Sequence, residues 1–328
     1  MKKSLLIVTV LMAGFSAAHA QTDNTVTVVY SGTSATVTVA SNISSYVTVE
    51  SGTSSHVKLV QSESLDATVG EITYTLSGTS TDGEFYMEGS YKATVELSGL
   101  TLTNPSGPAI NIQDGKRIKL SAKSGTVSTL TDGANTDYNG CIHCKGHLEL
   151  KGKGTLNVVG NSKHGIYSKE YMQVKNLTLN VTAAQKDGLH CKEYFLMESG
   201  TVSLTGAADD GIQVEQDTSA ATTDITTDHE DENTGNFYML DGTLTISGYQ
   251  GKAIKADGTI TYSGGTQNFD TTDTKTQASV NDLKVSSAAT GSTQVFDLRG
   301  RQYAASASLP RGLYVVRKDG KSSKVLVK

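Results

Sequence analysis

A near-repeat in the middle of this 328-residue chain constrains its fold more than any other feature. The segments CIHCKGHLEL, GIYSKEYMQV, GLHCKEYFLM and GIQVEQD begin at Cys141, Gly165, Gly188 and Gly211, at spacings of 24, 23 and 23 residues. A period of that length with strand-like alternation marks a solenoid, in which equivalent positions stack into rows. Trp is absent, only 3 prolines occur, and Thr, Ser and Gly are abundant. That balance favours short strands and turns over helices. The net charge of −5 gives no support for nucleic-acid binding.

Aligning the copies yields the rows. Ile110, Ile142, Ile166, Leu189, Ile212 and Ile254 form one inward row; Ile112, Cys144, Ser168, Cys191, Val214 and Ala256 form a second. A second strand in each coil supplies Leu148 and Leu150, Met172 and Val174, then Phe195 and Met197. A third supplies Leu156 and Val158, Leu177 and Leu179, Val202 and Leu204, then Leu244 and Ile246. Three short strands in a coil of about 23 residues predict an all-β parallel β-helix. From Gly211 to its equivalent Ala253 the gap is 42 residues, and the excess lies mostly in the acidic stretch from Thr218 to Asn236. Insertions in solenoids map to loops, often on the working face.

Five segments follow. Residues 1–20 read as a signal peptide: Lys2 and Lys3, an apolar run from Leu5 to Ala13, and a small-residue cleavage site at Ala18-His19-Ala20. The mature chain then begins at Gln21 and is exported, to the cell surface, the periplasm or the extracellular space. Residues 21–70 read as strands capping the open end of the helix, because such ends need cover. Residues 71–265 are the solenoid, 266–290 a polar linker, and 291–328 a small β unit with apolar runs at Val295–Leu298, Gly312–Val316 and Val325–Val327.

The 3 cysteines are expected to stay unpaired. Cys144 and Cys191 lie two coils apart, roughly 9.6 Å on the strand spacing, and a disulfide needs Cα atoms within about 7 Å. Cys141 and Cys144 are three apart and are expected on opposite faces of one strand.

Alternation places Asn111, His143, Tyr167, His190, Gln213 and Lys255 in an outward row, with Lys145, Lys169, Lys192 and Glu215 beside it. His143, Lys145, Tyr167, Lys169, His190 and Lys192 are the candidate carbohydrate contacts: cations and rings along a flat face suit an extended acidic polymer. Glu170 and Glu193 follow two of the lysines and could offset their charge. Asp187, Asp209 and Asp210 cluster at the turns before two coils; grouped carboxylates suit Ca2+, which prefers oxygen ligands. Gln213 and Glu215 could add oxygens. Cleavage of a uronic acid polymer would need a base beside such an ion, and Lys252 and Lys255 lie one coil beyond.

The segment from Thr73 through Ile118, with KDGLHCKEYFLMESGTVSLTGAADDGI and GKAIKADGTITYSGG, resembles the secreted carbohydrate-binding β-helix proteins of clostridial cellulose- and pectin-binding type. The resemblance spans roughly Glu71 to Gly265. It implies a right-handed parallel β-helix related to polysaccharide lyases, calcium at Asp187, Asp209 and Asp210, and a polysaccharide partner. Gln213 stands where lyase-like relatives place a further Asp. The resemblance therefore points to a non-catalytic binder, with a pectate-type lyase using Lys252 or Lys255, or a surface adhesin, as alternatives. The tail, from Val295 to Lys328, resembles Bacteroidetes-type C-terminal sorting domains and implies outer-membrane secretion machinery as a second partner.

Overall fold

The computed structural model describes residues 23–51, 55–134, 137–218 and 232–270, and tail strands at 294–297, 302–303, 312–318 and 321–327. The leader, the core of the acidic insertion and most of the linker lie outside the described residues. The chain divides into one unit ending at Ser279 and another beginning at Val280.

The first unit is an all-β, right-handed parallel solenoid. Each coil runs through three walls. The first wall is a 9-stranded sheet that includes Ile110–Gln113, Gly140–Cys144, His164–Ser168, Leu189–Lys192, Ile212–Glu215 and Ile254–Ala256. The second and third walls belong to one 16-stranded sheet. They are joined by the long strand Ala93–Asn104, whose first half pairs with Ile118–Ala122 and whose second half pairs with Val127–Asp132. It bends at Gly99, where φ is +72°, a left-handed conformation that glycine adopts without a Cβ penalty.

Hydrophobic burial drives the stacking. Ile110, Ile142, Ile166, Leu189, Ile212 and Ile254 pair in one continuous register and are fully buried. On the second wall Leu148, Met172, Phe195 and Phe237 form the equivalent row, and the Phe195 and Phe237 rings stack 5.1 Å apart. The acidic insertion leaves between the first and second walls of its coil, and the chain rejoins the ladder at Asn236–Met239.

The second inward row holds Cys144, Ser168 and Cys191 for a polar reason. Ser168 Oγ lies 2.8 Å from the Gly146 carbonyl and 3.0 Å from that of Tyr171. The Cys144 and Cys191 thiols reach the carbonyls of Gly146 and Tyr194, each at 3.5 Å. These small side chains satisfy carbonyls at the coil corner that would otherwise be buried without partners. All 3 cysteines are free and buried. Burial holds each thiol above its ordinary pKa, the Cys144 thiol at about 12. Cys141 does not face away from the core: it sits in the same apolar cluster as Cys144, because strand alternation gives way at the corner where the chain enters the wall.

Three sequence expectations need correction. On the third wall Leu156 and Val158 pair with Leu179 and Val181, whereas Leu177 pairs with Gly200. The expected register is displaced by two residues, and a shift of two keeps the same faces inward. Thr266–Phe269, expected as the start of the linker, is a strand paired with Thr243–Ile246 that completes the last coil. Parallel pairing also begins earlier than Ile72: Thr25–Ser31 pairs in parallel with Ile72–Ser80, and His56–Gln61 with Glu84–Glu88. Beyond these, Ser34–Val39 and Val47–Ser51 pair antiparallel.

The outward side of the third wall carries no charge along two rows. One is Thr155, Thr178, Thr201, Thr243 and Thr266; the other is Thr129, Asn157, Asn180, Ser203, Thr245 and Asn268. The second unit is a 4-stranded antiparallel sheet of Gln294–Asp297, Gln302–Tyr303, Gly312–Lys318 and Lys321–Val327. Val295 and Tyr314 are buried in it, and Tyr303 meets Tyr314 edge-on.

Candidate functional site

The outward row of the first wall has the expected register: Asn111, His143, Tyr167, His190, Gln213 and Lys255 are paired rung by rung. Parallel strands set equivalent side chains about 4.8 Å apart, which is stacking distance for rings. His143 stacks on Tyr167 at 5.3 Å and Tyr167 on His190 at 5.4 Å. The rings are covered: His143, Tyr167 and His190 are only 7%, 8% and 7% exposed. The cover comes from the neighbouring corner. Tyr138 meets His143 edge-on, and His164 packs on both His190, at 4.3 Å, and Tyr167, at 6.0 Å. Burial, with the nearby charges of Lys145 and Lys163, pushes the His143 pKa down to about 4.

Lys145 and Lys169 are exposed on the next row and Lys192 is half-buried. Glu170 and Glu193 do not offset them. Both carboxylates turn to His147, at 2.8 and 3.4 Å from its Nε2. His147 opens a second ring ladder: it stacks on Tyr171 at 4.3 Å, and Tyr171 on Tyr194 at 4.9 Å. This ladder had a signal in the sequence, because KGH, KEY and KEY occupy equivalent positions at Lys145, Lys169 and Lys192.

Burial lowers the His147 pKa, but hydrogen bonds to Glu170 and Glu193 outweigh it and lift the value to about 9. An unfolded histidine titrates near about 6.5. The stabilisation is therefore complete below that pH and is lost as pH rises through about 9. In urea titrations the stability gap between wild type and His147→Gln should shrink steadily across that window. A gap that stays constant or widens would contradict this.

The corner before the first wall carries the second constellation. His164, Asp187 and Asp210 each precede a glycine, Gly165, Gly188 and Gly211, and stack one coil apart. A Cβ on any of these glycines would lie 2.6–2.7 Å from a carbonyl oxygen of the next coil, so the close packing of the corner requires them. Asp187 is the centre. Its Oδ2 lies 2.9 Å from His190 Nδ1 and 3.1 Å from His164 Nδ1, and its Oδ1 accepts the Asp210 N–H at 3.0 Å. Burial would raise the Asp187 pKa, but the two imidazoles overcome it and hold the carboxyl well below the usual range. Asp210 Oδ1 accepts the Lys252 N–H at 2.7 Å; its Oδ2 is buried without a hydrogen-bond partner, 3.5 Å from Lys255 Nζ. Burial raises the Asp210 pKa, and the charges of Asp187 and Asp209 add to it.

The two candidate sets expected separately thus meet at the His190–Asp187 contact. Among the described residues, three side-chain groups have ligand atoms close enough to share a metal ion: His164, Asp187 and His190; Asp187, Asp209 and Asp210; and His147, Glu170 and Glu193. Clustered histidine and aspartate here could coordinate a metal ion. The acidic group fits a hard cation in donor type, and Asp210 Oδ2, which lacks a hydrogen bond, is an oxygen that such an ion would satisfy. Gln213 and Glu215 turn elsewhere: Gln213 donates to Glu215 at 2.7 Å, and Glu215 lies 3.5 Å from His190 Nε2. Lys255, a candidate base, is engaged with Asp210, and the Lys252 backbone is tied to the same carboxylate. Sequence reasoning missed His164; its place before Gly165, matching Asp187 before Gly188, was the available signal.

Comparisons with known proteins bear on this site. The sequence model of the family described as carbohydrate-binding domain-containing protein matches residues 66–308. Among solved structures, the polysaccharide lyase-like protein from C. thermocellum, solved as a gadolinium derivative, superposes with a TM-score of 0.58 at 20% identity. The superposition covers 74% of this chain and 99% of that one, and at this identity it is a likeness of fold. No curated protein matches.

Proposed function

This chain belongs to the carbohydrate-binding domain-containing proteins, and from that premise we propose that it is an exported, calcium-dependent and non-catalytic binder of plant-type or acidic polysaccharide. The observation that carries the reading is the lysine strip. Lys145, Lys169 and Lys192 stand on successive coils and form no salt bridge among the described residues, because Glu170 and Glu193 are spent on His147. A row of unneutralised cations at strand spacing matches a polymer with regularly placed carboxylates. His143, Tyr167 and His190 back this strip as a stack of covered rings. The uncharged third wall makes the first wall the side for an acidic chain.

Asp187, Asp209 and Asp210 are the residues that would hold calcium. When bound, the ion supplies positive charge that can take a carboxylate of the glycan. The leader at 1–20 and the tail at 291–328 support delivery to the surface, the periplasm or the medium, with secretion machinery of the outer membrane as a partner of the tail.

The test is a glycan panel that includes polygalacturonate and neutral glucans, run on the mature chain with calcium and with EDTA. Binding to acidic glycans that weakens in EDTA is expected. Changing Lys145, Lys169 and Lys192 together to Ala should cost roughly 10- to 100-fold in affinity, taking about 0.5–1 kcal/mol for each exposed charge. Unchanged binding would sink the lysine strip. Ultraviolet absorbance from unsaturated uronides would replace this reading with a lyase using Lys252 or Lys255. A blank panel would favour an adhesin.

A further inference from the structure

We propose that His164, Asp187 and His190 form a site for a divalent transition metal of zinc type, set apart by its nitrogen donors from the all-oxygen cluster with which it shares Asp187. The proposal goes beyond glycan binding and survives its failure. The donors are buried and come from two adjacent coils held in register by the Tyr167–His190 rung. Both Nδ1 atoms converge on Asp187 Oδ2, at 3.1 and 2.9 Å. Ligands held about 2.0–2.2 Å from a tetrahedral zinc lie somewhat over 3 Å from one another, so the two nitrogen–oxygen sides need little expansion, and the ligand atoms of the group all lie within 4.8 Å of one another.

The hydrogen bonding at His164 points the same way. Its Nδ1 is 3.3 Å from the backbone N–H of Asp187, which donates to it, and also 3.1 Å from Asp187 Oδ2. One nitrogen cannot accept the first contact and donate in the second. With Nδ1–H directed at Asp187 Oδ2, a divalent ion would displace that proton and take the same lone-pair direction beside the carboxylate oxygen, the 3.3 Å backbone contact being the weaker of the two.

The surroundings fit a metal-bound imidazole. His190 Nε2 lies 3.5 Å from Glu215 Oε2, the carboxylate–histidine arrangement that fixes the tautomer of a metal ligand. Two imidazoles and one carboxylate suit zinc, cobalt or nickel, whereas calcium takes 6–8 oxygens. Three protein ligands leave a coordination position for water or a glycan hydroxyl. The His147, Glu170 and Glu193 group offers one imidazole and two carboxylates, a donor set with less nitrogen for a zinc-type ion.

The experiment strips the mature full chain with EDTA and titrates it with Co2+, then Zn2+, then Ca2+. A visible d–d absorption band saturating at one Co2+ per chain, abolished by Zn2+ and not by equimolar Ca2+, is expected. His164→Gln and His190→Gln should each weaken Co2+ binding by roughly 100-fold. Glu63→Gln should leave it within about 2-fold, since Glu63 is exposed near the amino-terminal end and belongs to none of the ligand groups. If the histidine variants fail to fold, imidazole NMR of the wild type replaces them: Zn2+ should shift the His164 and His190 rings and spare His147. No band, a band indifferent to both folded variants, equal displacement by Ca2+, or shifts confined to His147 would each overturn the assignment. Loss of glycan binding with the Co2+ band intact would count against the glycan reading alone.

Discussion

Asp187→Ala should remove about 3–5 kcal/mol from the unfolding free energy, the cost of taking one partner from a buried ionic network. The side chain is 1% exposed and serves three groups at once: two imidazoles and the backbone N–H of Asp210. Alanine removes the shared acceptor from all three at a buried corner. Asp187→Asn keeps the acceptor oxygen for Asp210 and should cost less, about 1–3 kcal/mol. The sign with pH follows from the depressed carboxyl. Its contribution is present above the ordinary carboxylate range and is lost as pH falls through the folded value. Urea unfolding of the metal-free chain at neutral pH measures both variants; a loss below about 1 kcal/mol for the alanine variant would show that the network does not hold the corner.

Gly188→Ala should cost about 3 kcal/mol, the upper part of the range for overpacking. The new Cβ would lie 2.7 Å from the Gly211 carbonyl oxygen. That atom is backbone in the next coil and cannot rotate away. Relief requires the coils to separate, which also pulls Asp187 from Asp210. The variant should therefore lose metal and glycan binding together with stability. Gly115→Ala is the control, because nothing lies within 4 Å of its Cβ; its change should stay within about 0.5 kcal/mol. Equal effects at the two positions would show that close stacking at the corner is unimportant.

Part of this was legible in the sequence. The rows Ile110 to Ile254 follow from alternation and period alone, since both are properties of the chain direction. The pairing of Leu177 was not legible, because a shift of two leaves the alternation intact. Nor was the burial of His143, Tyr167 and His190. Alternation says only that they point out of the core; Tyr138 and His164, which cover them, sit at the entry to the wall and outside the alternating row. His164 itself was hidden by residue type. Its row reads His, Asp, Asp, and the chemistry appears only when coil stacking sets an imidazole against a carboxylate. The partners of Glu170 and Glu193 were misjudged for a similar reason: each follows a lysine in sequence, but the chain turns at that point and both face His147.

The reversed strands at the amino-terminal end have a consequence for self-assembly. A parallel solenoid is a template for its own extension, since each exposed edge offers hydrogen bonds in the direction the next coil needs. Here Ser34–Val39 and Val47–Ser51 run antiparallel to their neighbours Thr25–Ser31 and His56–Gln61, one on each sheet at that end. An incoming coil in the solenoid's own sense would meet strands running the wrong way. The two reversals act as a polarity stop that disfavours head-to-tail fibre growth at that edge, and Glu50 adds a charge to one of them.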